Sequence, residues 1–449
     1  MKKTLKVGLA LAAVLAMSSS VFAAKAKAGS DTINLWSFTD EVPKMVNAYL
    51  KAHPDFGYKV NTTIIATTDG AYQPALDQAL QAGGKDAPDF YCAESAFVLK
   101  YTKGDMQDYA MTFKKLGITD KAIKAAEIAP YTTDIGSNSK GEVDALAYQS
   151  TGGAFIYRRS VAKTVFGSDD PKTVQAAIGG GSGSWDKFWD AAAKCADKGV
   201  AIVSGDGDVW HAVENSSEKG WIVDDKLYID PKREAFLDIS KNLTDNGWSN
   251  KTQDWQEAWM ADFKGAGEKP VLGFFGPAWL INYVMAPNCG GSKVGEGTYG
   301  DWAVCNSPIG FFWGGTWLLA NKNMDKSKVK AVKELIEWIT VDTSNDGLLY
   351  KWANGTLEGP NGTKDTVSSG VVMAKSNGKL DFLGGQNMFD YFVPANKYAN
   401  GKNLTQYDES INSIWRDQVR AYANGKKSRD QAIKDFKQTV SDTLGIDID

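Results

Sequence analysis

The chain contains few of the residues that enzymes commonly use for metal binding and proton transfer. Only two histidines, His53 and His211, occur in 449 residues. A histidine-based zinc cluster is therefore nearly excluded, and a Ser-His-Asp triad would have to use one of these two. Phosphate-binding glycine motifs, an EF-hand loop and zinc-like cysteine spacings are also missing from the sequence. We expect no metal, no cofactor and no catalytic residue.

Beyond its first residues the sequence has no long apolar run. It opens MKKTLKVGLALAAVLAMSSSVFAAKA, with three lysines before an apolar run from Val7 to Met17. This pattern is typical of a secretory signal peptide, residues 1–23, cleaved after Ala23. No cysteine follows closely, so we expect no lipid anchor. No later run approaches the roughly 18 to 20 apolar residues of a membrane helix, and the sequence predicts an exported, periplasmic protein.

The charge pattern excludes two classes of partner, whereas the aromatic content suggests another. The formal net charge is -4 without a basic block, which argues against nucleic acid and anionic membrane surfaces. Fifteen tryptophans are many for a globular protein. Core packing accounts for most aromatic residues in general, but an excess suits sugar or aromatic ligands.

The four cysteines leave two interpretations open. They are Cys92, Cys195, Cys289 and Cys305. In an oxidising compartment Cys289 and Cys305 are candidates for a disulfide that closes a short loop and stabilises the chain by about 3 kcal/mol. Four free, buried thiols are the alternative, because sequence does not determine pairing.

The pattern of apolar residues predicts an α/β fold. TINLWSF, YKVNTTIIA and PDFYCA are expected strands, separated by helices in TDEVPKMVNAYLKAHP and AYQPALDQALQAGG. Strands alternating with helices predict a parallel sheet, whose ligands gather at the carboxyl ends of the strands. Further along, AIVSGDGDVWHAVENSS is predicted as a strand with a polar turn, and SKVKAVKELIEWIT as a helix. Ser428 and Gln431 form a capping box before the last helix.

The stretch FFWGGTW, residues 311–317, places Trp313 and Trp317 on either side of Gly314 and Gly315. One interpretation is a buried strand whose glycines admit a close backbone. The other is an aromatic surface beside bare backbone that suits a flat, hydroxylated ring such as a sugar.

Four stretches in order resemble one family. PDFYCAESAFVLKYTKGDMQDY, VDALAYQSTGGAFIYRRSV, GEKPVLGFFGPAWLINYVM and IGFFWGGTWLLANKNMDKSKVKAVKELIEWIT are similar to segments of the family 1 extracellular solute-binding proteins of carbohydrate ABC importers, the maltose-binding-protein-like family. The resemblance covers nearly all of the chain after the signal peptide. It implies a periplasmic-binding-protein fold in which two α/β lobes, joined by hinge strands, close on a ligand in the cleft between them.

The same resemblance implies a domain layout and a set of partners. The N-terminal lobe is expected over 31–148 plus 318–370, the C-terminal lobe over 152–312 plus 375–449, and hinge crossings near 147–153, 313–318 and 371–374. Cys92 and Cys195 then fall in opposite lobes, so we expect no bond between them. The expected partners are a small carbohydrate ligand and the membrane subunits of an ABC permease, with the chain itself a monomer.

Sugar sites combine aromatic rings with hydrogen-bonding side chains. The candidate ligand-binding residues are Trp36, Thr39, Asp40, Glu41, Glu94, Ser95, Asp206, Asp208, Trp210, Trp279, Trp313, Gly314, Gly315, Trp317, Gln386 and Asn387. Helix capping is the alternative for the acidic residues at 40 and 41 and for the amides at 386 and 387. Core packing is the alternative for Trp36 and Trp210.

Two rival functions remain, and an adhesion or chemoreceptor-signalling role could coexist with import. A secreted glycoside hydrolase would share the tryptophans and paired carboxylates. The same fold binding a non-sugar solute, such as a polyamine or glycerol phosphate, is the other. The sequence has no evident arginine cluster, which disfavours a phosphate.

Overall fold

The computed structural model describes residues 31–67, 70–359 and 362–448. The predicted signal peptide lies outside these residues. The strands in the described part are β1 (Thr32–Ser37), β2 (Lys59–Ile64), β3 (Phe90–Glu94), β4 (Ala145–Ala147), β5 (Ala154–Arg158), β6 (Ile222–Val223), β7 (Lys226–Leu227), β8 (Gly273–Gly276), β9 (Trp302–Cys305) and β10 (Thr316–Ala320). Among the described residues no helix is both long and apolar enough to cross a bilayer.

The α-helices fill the sequence between the strands. They are α1 (Glu41–Ala52), α2 (Tyr72–Ala82), α3 (Val98–Thr102), α4 (Phe113–Leu116), α5 (Asp120–Ala125), α6 (Pro130–Gly136), α7 (Arg159–Phe166), α8 (Pro171–Ile178), α9 (Asp186–Ala196), α10 (Gly207–Ser216), α11 (Pro231–Glu234), α12 (Phe236–Asp245), α13 (Glu257–Phe263), α14 (Ala278–Leu280), α15 (Ala286–Asn288), α16 (Val329–Thr340), α17 (Leu348–Ala353), α18 (Gly370–Met373), α19 (Phe389–Ala395), α20 (Asp408–Ala423) and α21 (Arg429–Leu444). A π-helical turn, Ile281–Met285, joins α14 to α15.

The first sheet has the strand order β2-β1-β3-β10-β4. β1 pairs in parallel with both β2 and β3, so the predicted strand-helix-strand-helix-strand unit is confirmed. β10 lies antiparallel between β3 and β4. The carboxyl end of β3 therefore meets the amino end of β10, where Thr316 is in register with Glu94.

The second sheet, β8-β5-β9, is antiparallel throughout. Two segments connect it to the first sheet: residues 148–153 join β4 to β5, and residues 306–315 join β9 to β10. A bridge between Gly152 and Phe312 pairs these connections with each other. The predicted α/β class is thus realised as two sheets with two adjacent connections.

One predicted strand is a helix. AIVSGDGDVWHAVENSS was expected to be extended, but only Ala201 and Val203 form isolated bridges. Residues from Gly207 onward form α10, whose Val209, Ala212 and Val213 are buried. Their spacing of three and four residues is the period of a helix face, which a strand interpretation of this short apolar run overlooked.

All four cysteines are free and buried, so the proposed Cys289–Cys305 disulfide is absent. The two thiols lie in different hydrophobic clusters: Cys305 packs with Phe155, whereas Cys289 packs with Val304. Because successive residues of β9 face opposite sides of the sheet, the sheet separates the two sulfur atoms. Cys289 Sγ instead donates to a backbone carbonyl, the Ala286 oxygen 3.1 Å away.

The long helices follow their sequence signals. Ser428 Oγ accepts a hydrogen bond from the Gln431 backbone N–H, as the capping box predicts. α16 buries the predicted apolar stripe against the first sheet. α20 and α21 pack on each other through Trp415 and Phe436, whose ring centroids are 4.8 Å apart.

Candidate functional site

A cavity of about 940 Å³ lies where strand ends of both sheets meet the two connecting segments. On the first sheet's side its wall includes the turns after β1 and β3. On the second sheet's side it includes residues of α10, α14 and α20 and the loop before α13. Ligand sites of α/β folds favour such strand ends, so this cavity is the candidate site.

Three tryptophans form one aromatic wall of the cavity, which we call the tryptophan wall: Trp255, Trp279 and Trp313. The rings of Trp279 and Trp313 meet edge to face with centroids 4.8 Å apart. Trp255 lies parallel to Trp279, at a centroid distance of 6.1 Å and an interplanar angle of 7°. His211 stacks on Trp313 at 4.5 Å. The wall offers ring faces and edges of the kind that bind C–H surfaces.

Trp255 has an unusual backbone. Its φ is +69°, in the left-handed region that bulky residues avoid at a cost of roughly 1 to 2 kcal/mol. Its side chain is nonetheless 53% exposed at the cavity. Strain of this kind, held beside a cavity, suggests a binding role for the ring.

The glycines of FFWGGTW have positive φ angles, +75° at Gly314 and +117° at Gly315. A Cβ on Gly314 would meet the Trp279 indole at 3.2 Å, and one on Gly315 would meet the Trp317 ring at 3.1 Å. Both glycines are therefore required by conformation and by close approach. Trp313 lines the cavity, whereas Trp317 is fully buried and donates from Nε1 to the Thr132 carbonyl, 2.9 Å away.

Glu41, at the start of α1, is a carboxylate at one end of the cavity. The Tyr148 hydroxyl donates to it, and Tyr283 lies against it. Burial raises the pKa of the Glu41 carboxyl to about 7; the Tyr148 hydrogen bond opposes this rise, and the nearby Asp365 adds to it. The group therefore takes up a proton near neutral pH.

Glu94, at the end of β3, is a second such carboxylate. It accepts hydrogen bonds from Ser95 Oγ and from the Ala96 backbone N–H, each at 2.8 Å. Burial raises its pKa to about 7 against these bonds, and the carboxylate of Glu409 on α20 contributes to the rise. Glu94 and Glu409 therefore interact although they belong to different sides of the cavity.

The second-sheet side of the cavity carries paired charges. Arg416 donates to Asp254. Burial alone would raise the pKa of Asp254, but the guanidinium outweighs it and holds the pKa below its usual range. Glu214 accepts from Asn412 at 2.7 Å and lies 3.4 Å from His211 Nδ1. These groups are ordered donors and acceptors for a hydroxylated ligand.

The structure brings ten of the predicted site residues together around the cavity. They are Thr39, Asp40, Glu41, Glu94, Ser95, Trp210, Trp279, Trp313, Gly314 and Gly315. Six others lie outside the cavity lining. They are Trp36, Asp206, Asp208, Trp317, Gln386 and Asn387.

Each of these six has a structural role instead. Trp36 is partly buried and packs against the first-sheet core. Asp206 accepts from Ser240 Oγ, and Asp208 accepts from the Ser204 backbone N–H and from Trp259 Nε1 beneath α10. These acidic groups are turned inward because the segment that contains them begins a helix rather than ending a strand.

The two predicted amides bond to backbone groups away from the cavity lining. Gln386 Oε1 accepts from the Val304 N–H and its Nε2 donates to the Val304 carbonyl, both at 2.8 Å. It thus continues the backbone pairing of β9 at the sheet edge. Asn387 Oδ1 accepts from the Gly378 N–H at 3.0 Å and closes a turn.

Sequence reasoning missed several lining residues, notably Trp255 and the polar face of α20. Glu409, Asn412, Ser413, Arg416 and Arg420 all line the cavity. Their spacing marks one helix face, opposite the buried Ile411, Trp415 and Val419. A polar stripe of this kind is usually solvated, so its position facing a cavity depends on how α20 packs.

Comparisons with known proteins place this fold. No family model matches the chain, and no curated protein matches its sequence. It is similar in structure to an extracellular solute-binding protein of family 1, with a TM-score of 0.71 and 16% identity over 92% of this chain and 99% of the other. It is also similar to the galacto-N-biose-/lacto-N-biose I-binding protein of an ABC transporter from Bifidobacterium longum, with a TM-score of 0.65 and 16% identity over 93% of this chain and 98% of that one.

A third similar structure is the sugar-binding protein MalE from Xanthomonas citri, with a TM-score of 0.67 and 16% identity over 92% of this chain and 97% of that one. The chain therefore has the fold of the extracellular solute-binding proteins. The fold class predicted from the sequence is confirmed.

Proposed function

We propose that this chain is the substrate-binding component of an ABC transporter, which captures a sugar, and specifically an oligosaccharide, in the 940 Å³ cavity. The tryptophan wall is the observation that supports this most directly. Trp279 and Trp313 are held 4.8 Å apart within a lining rich in carboxylates and amides. Rings bind the C–H faces of a sugar, while the polar groups bind its hydroxyls.

The similar structures are consistent with this proposal. The Bifidobacterium longum protein is in complex with lacto-N-biose, and the Xanthomonas citri protein is a sugar-binding protein. These descriptions apply to those two proteins, each of which is 16% identical in sequence to this chain. What the comparison adds is that proteins described as binding sugars have this fold.

The delivery step in this proposal is hinge closure. The lobes would be residues 31–148 plus 318–370 and residues 152–312 plus 375–449, moving about the connections at 147–153 and 313–318. The third predicted crossing, at 371–374, falls mostly on α18. The closed form would then present the sugar to the permease in the periplasm, with the chain acting as a monomer after removal of residues 1–23.

The test measures the binding of a panel of mono- and oligosaccharides to residues 24–449 by thermal shift and calorimetry. Each sugar that binds is then analysed for cleavage products. A ligand that binds the native state raises the melting temperature by mass action. Trp313→Ala should abolish the shift, whereas Tyr398→Ala, an exposed aromatic position outside the cavity lining, should keep it. Cleavage of the sugar would support a hydrolase instead, and a panel without any shift would contradict the proposal.

A further inference from the structure

The cavity lining has an excess of negative charge. It contains eight carboxylate side chains but only three lysine or arginine side chains. Each of these three cations already has a carboxylate partner: Lys44 with Asp40, Arg416 with Asp254, and Arg420 with Asp417. Among the described lining residues, no lysine or arginine is left to bind an anionic ligand, which makes a phosphorylated or acidic sugar a poor fit.

Several of the carboxylates have no lysine or arginine in ion-pair contact. Glu41 is bound by tyrosine hydroxyls, and Glu94 by a serine and a backbone N–H. Glu409, exposed at the start of α20, lines the same cavity as Glu94, and its charge adds to the rise in the pKa of that carboxyl. Two carboxylates from different walls that repel each other gain stability when a cation is placed between them.

Buried polar atoms without partners point to a ligand that both donates and accepts hydrogen bonds. Asp408, 5% exposed and part of the lining, has no hydrogen-bond partner at Oδ2. Asn215 Oδ1 is a second unpaired acceptor in the lining, and Arg416 Nε is an unpaired donor. A buried polar atom without a hydrogen-bond partner costs free energy. A sugar hydroxyl can donate to the unpaired acceptors and accept from the unpaired donor.

We infer that the ligand of this cavity carries a protonated amine, as an amino sugar does, which binds between Glu94 and Glu409 while its ring packs on the tryptophan wall. The sugar part of this inference rests on the proposed function. The amine part rests on the unpaired carboxylates. An ammonium group also interacts favourably with tryptophan faces, so the wall and the carboxylates favour the same chemistry.

The inference has a consequence that neutral sugars do not share. Burial keeps part of the Glu94 carboxyls protonated near neutral pH, since its pKa is about 7. An ammonium ion beside the carboxylate lowers that pKa, so binding of the amine releases protons. A neutral sugar brings no charge that would do this.

The experiment uses two matched sets at pH 6 and low salt, where the sugar amine is already protonated and takes up no proton on binding: the β-1,4-linked glucosamine disaccharide, its N-acetylated form and cellobiose, and then galactosamine, N-acetylgalactosamine and galactose. Spermidine is added as an amine without a sugar ring. Isothermal titration calorimetry in two buffers of different ionisation enthalpy gives both affinity and proton release. We expect an amine-bearing sugar to bind at least about tenfold more tightly than its neutral counterparts, with proton release.

Variants locate the effect. Glu94→Gln and Glu409→Gln should each bring the affinity for the amine down to that of the neutral sugar while changing the neutral affinity less than about threefold. Glu409 is exposed, so its variant remains informative if Glu94→Gln fails to fold. Glu268→Gln, an exposed loop position outside the cavity lining, should leave both affinities unchanged.

The outcomes separate the two proposals. Equal or tighter binding of the neutral sugar overturns the amine inference and leaves the sugar-binding function standing. Binding of spermidine without any sugar overturns the sugar function and with it the amino-sugar assignment. Absence of binding to every member of the panel overturns the amine inference, and the broader panel of mono- and oligosaccharides then decides the sugar-binding function.

Discussion

The indole Nε1 of Trp279 donates a hydrogen bond to the backbone carbonyl of Trp313, 2.9 Å away. The same pair of rings meets edge to face. One residue lies in the short helix after β8 and the other in the connection between the sheets. The tryptophan wall is therefore fixed to a segment that a hinge motion would bend.

The first prediction concerns this bond. Trp279→Phe keeps a ring but removes the N–H donor, so we expect unfolding free energy to fall by about 1 kcal/mol and sugar affinity to fall severalfold. Trp279→Ala also removes the ring face and should lose at least about tenfold in affinity. Chemical denaturation and calorimetry measure the two effects. Equal affinities for the two variants would show that the ring itself does not contact the ligand.

The second prediction concerns the paired glycines. Gly315→Ala forces a Cβ to within 3.1 Å of the buried Trp317 ring at a φ of +117°. Gly385→Ala provides the control, because it imposes a positive φ of +84° without any atom within 4 Å. We expect the unfolding free energy to fall by roughly 1 kcal/mol in the control and by at least about 1 kcal/mol more in Gly315→Ala. Denaturant unfolding measures both. Equal losses would mean that Trp317 moves aside freely.

Much of the first sheet is predictable from sequence, whereas the position of its antiparallel strand β10 is not. The spacing of apolar residues and the glycines that end helices predict β1, α1, β2, α2 and β3. The insertion of β10 between β3 and β4 is set by pairing with residues far along the chain. Local patterns do not contain this information.

The candidate site was predictable only in part, for a similar reason. Turns at strand ends led to Glu41 and Glu94, since the edge of a parallel sheet collects such residues. Sequence did not decide between Trp313 and Trp317, because two glycines in left-handed conformations break the alternation of side chains between them. The polar face of α20 reaches the cavity through tertiary packing alone.

The third prediction separates a structural amide from a ligand contact. Gln386→Ala removes both hydrogen bonds to the Val304 backbone, which lies in the buried strand β9. We expect a loss of roughly 1 to 3 kcal/mol in unfolding free energy with sugar affinity unchanged. Gln438→Ala, at an exposed position of α21, is the control and should cost less than about 0.5 kcal/mol. A selective loss of affinity in Gln386→Ala would restore its predicted role at the ligand.

The fourth prediction uses the backbone of Trp255. Glycine tolerates a φ of +69°, whereas alanine does not. Trp255→Gly should therefore be more stable than Trp255→Ala by about 0.5 to 1 kcal/mol, the reverse of the usual order, as measured by thermal and chemical unfolding. Both variants should lose ligand affinity to a similar extent because both lack the ring. If alanine is the more stable, the segment relaxes out of the left-handed conformation.

The fifth prediction concerns the pH dependence of stability in the ligand-free protein. Because burial raises the pKa of Glu41 to about 7, the folded chain binds more protons there than the unfolded chain between about pH 4.3 and pH 7. The contribution of Glu41 to the unfolding free energy then falls as pH rises through this window, since the ionised carboxylate is the less favourable form in the cavity.

Glu41→Gln removes this penalty while keeping an acceptor for the Tyr148 hydroxyl. We expect the variant to be more stable than the parent by at least about 1 kcal/mol at pH 8, with a smaller difference at pH 5 that reaches zero only below about pH 4.3. Denaturant unfolding of the ligand-free protein at the two pH values measures it, with Glu268→Gln as the exposed control. A difference that stays the same at both pH values would place the effect in packing rather than in titration. A bound cation should cancel the gain at pH 8, because it favours the ionised carboxylate that the variant lacks.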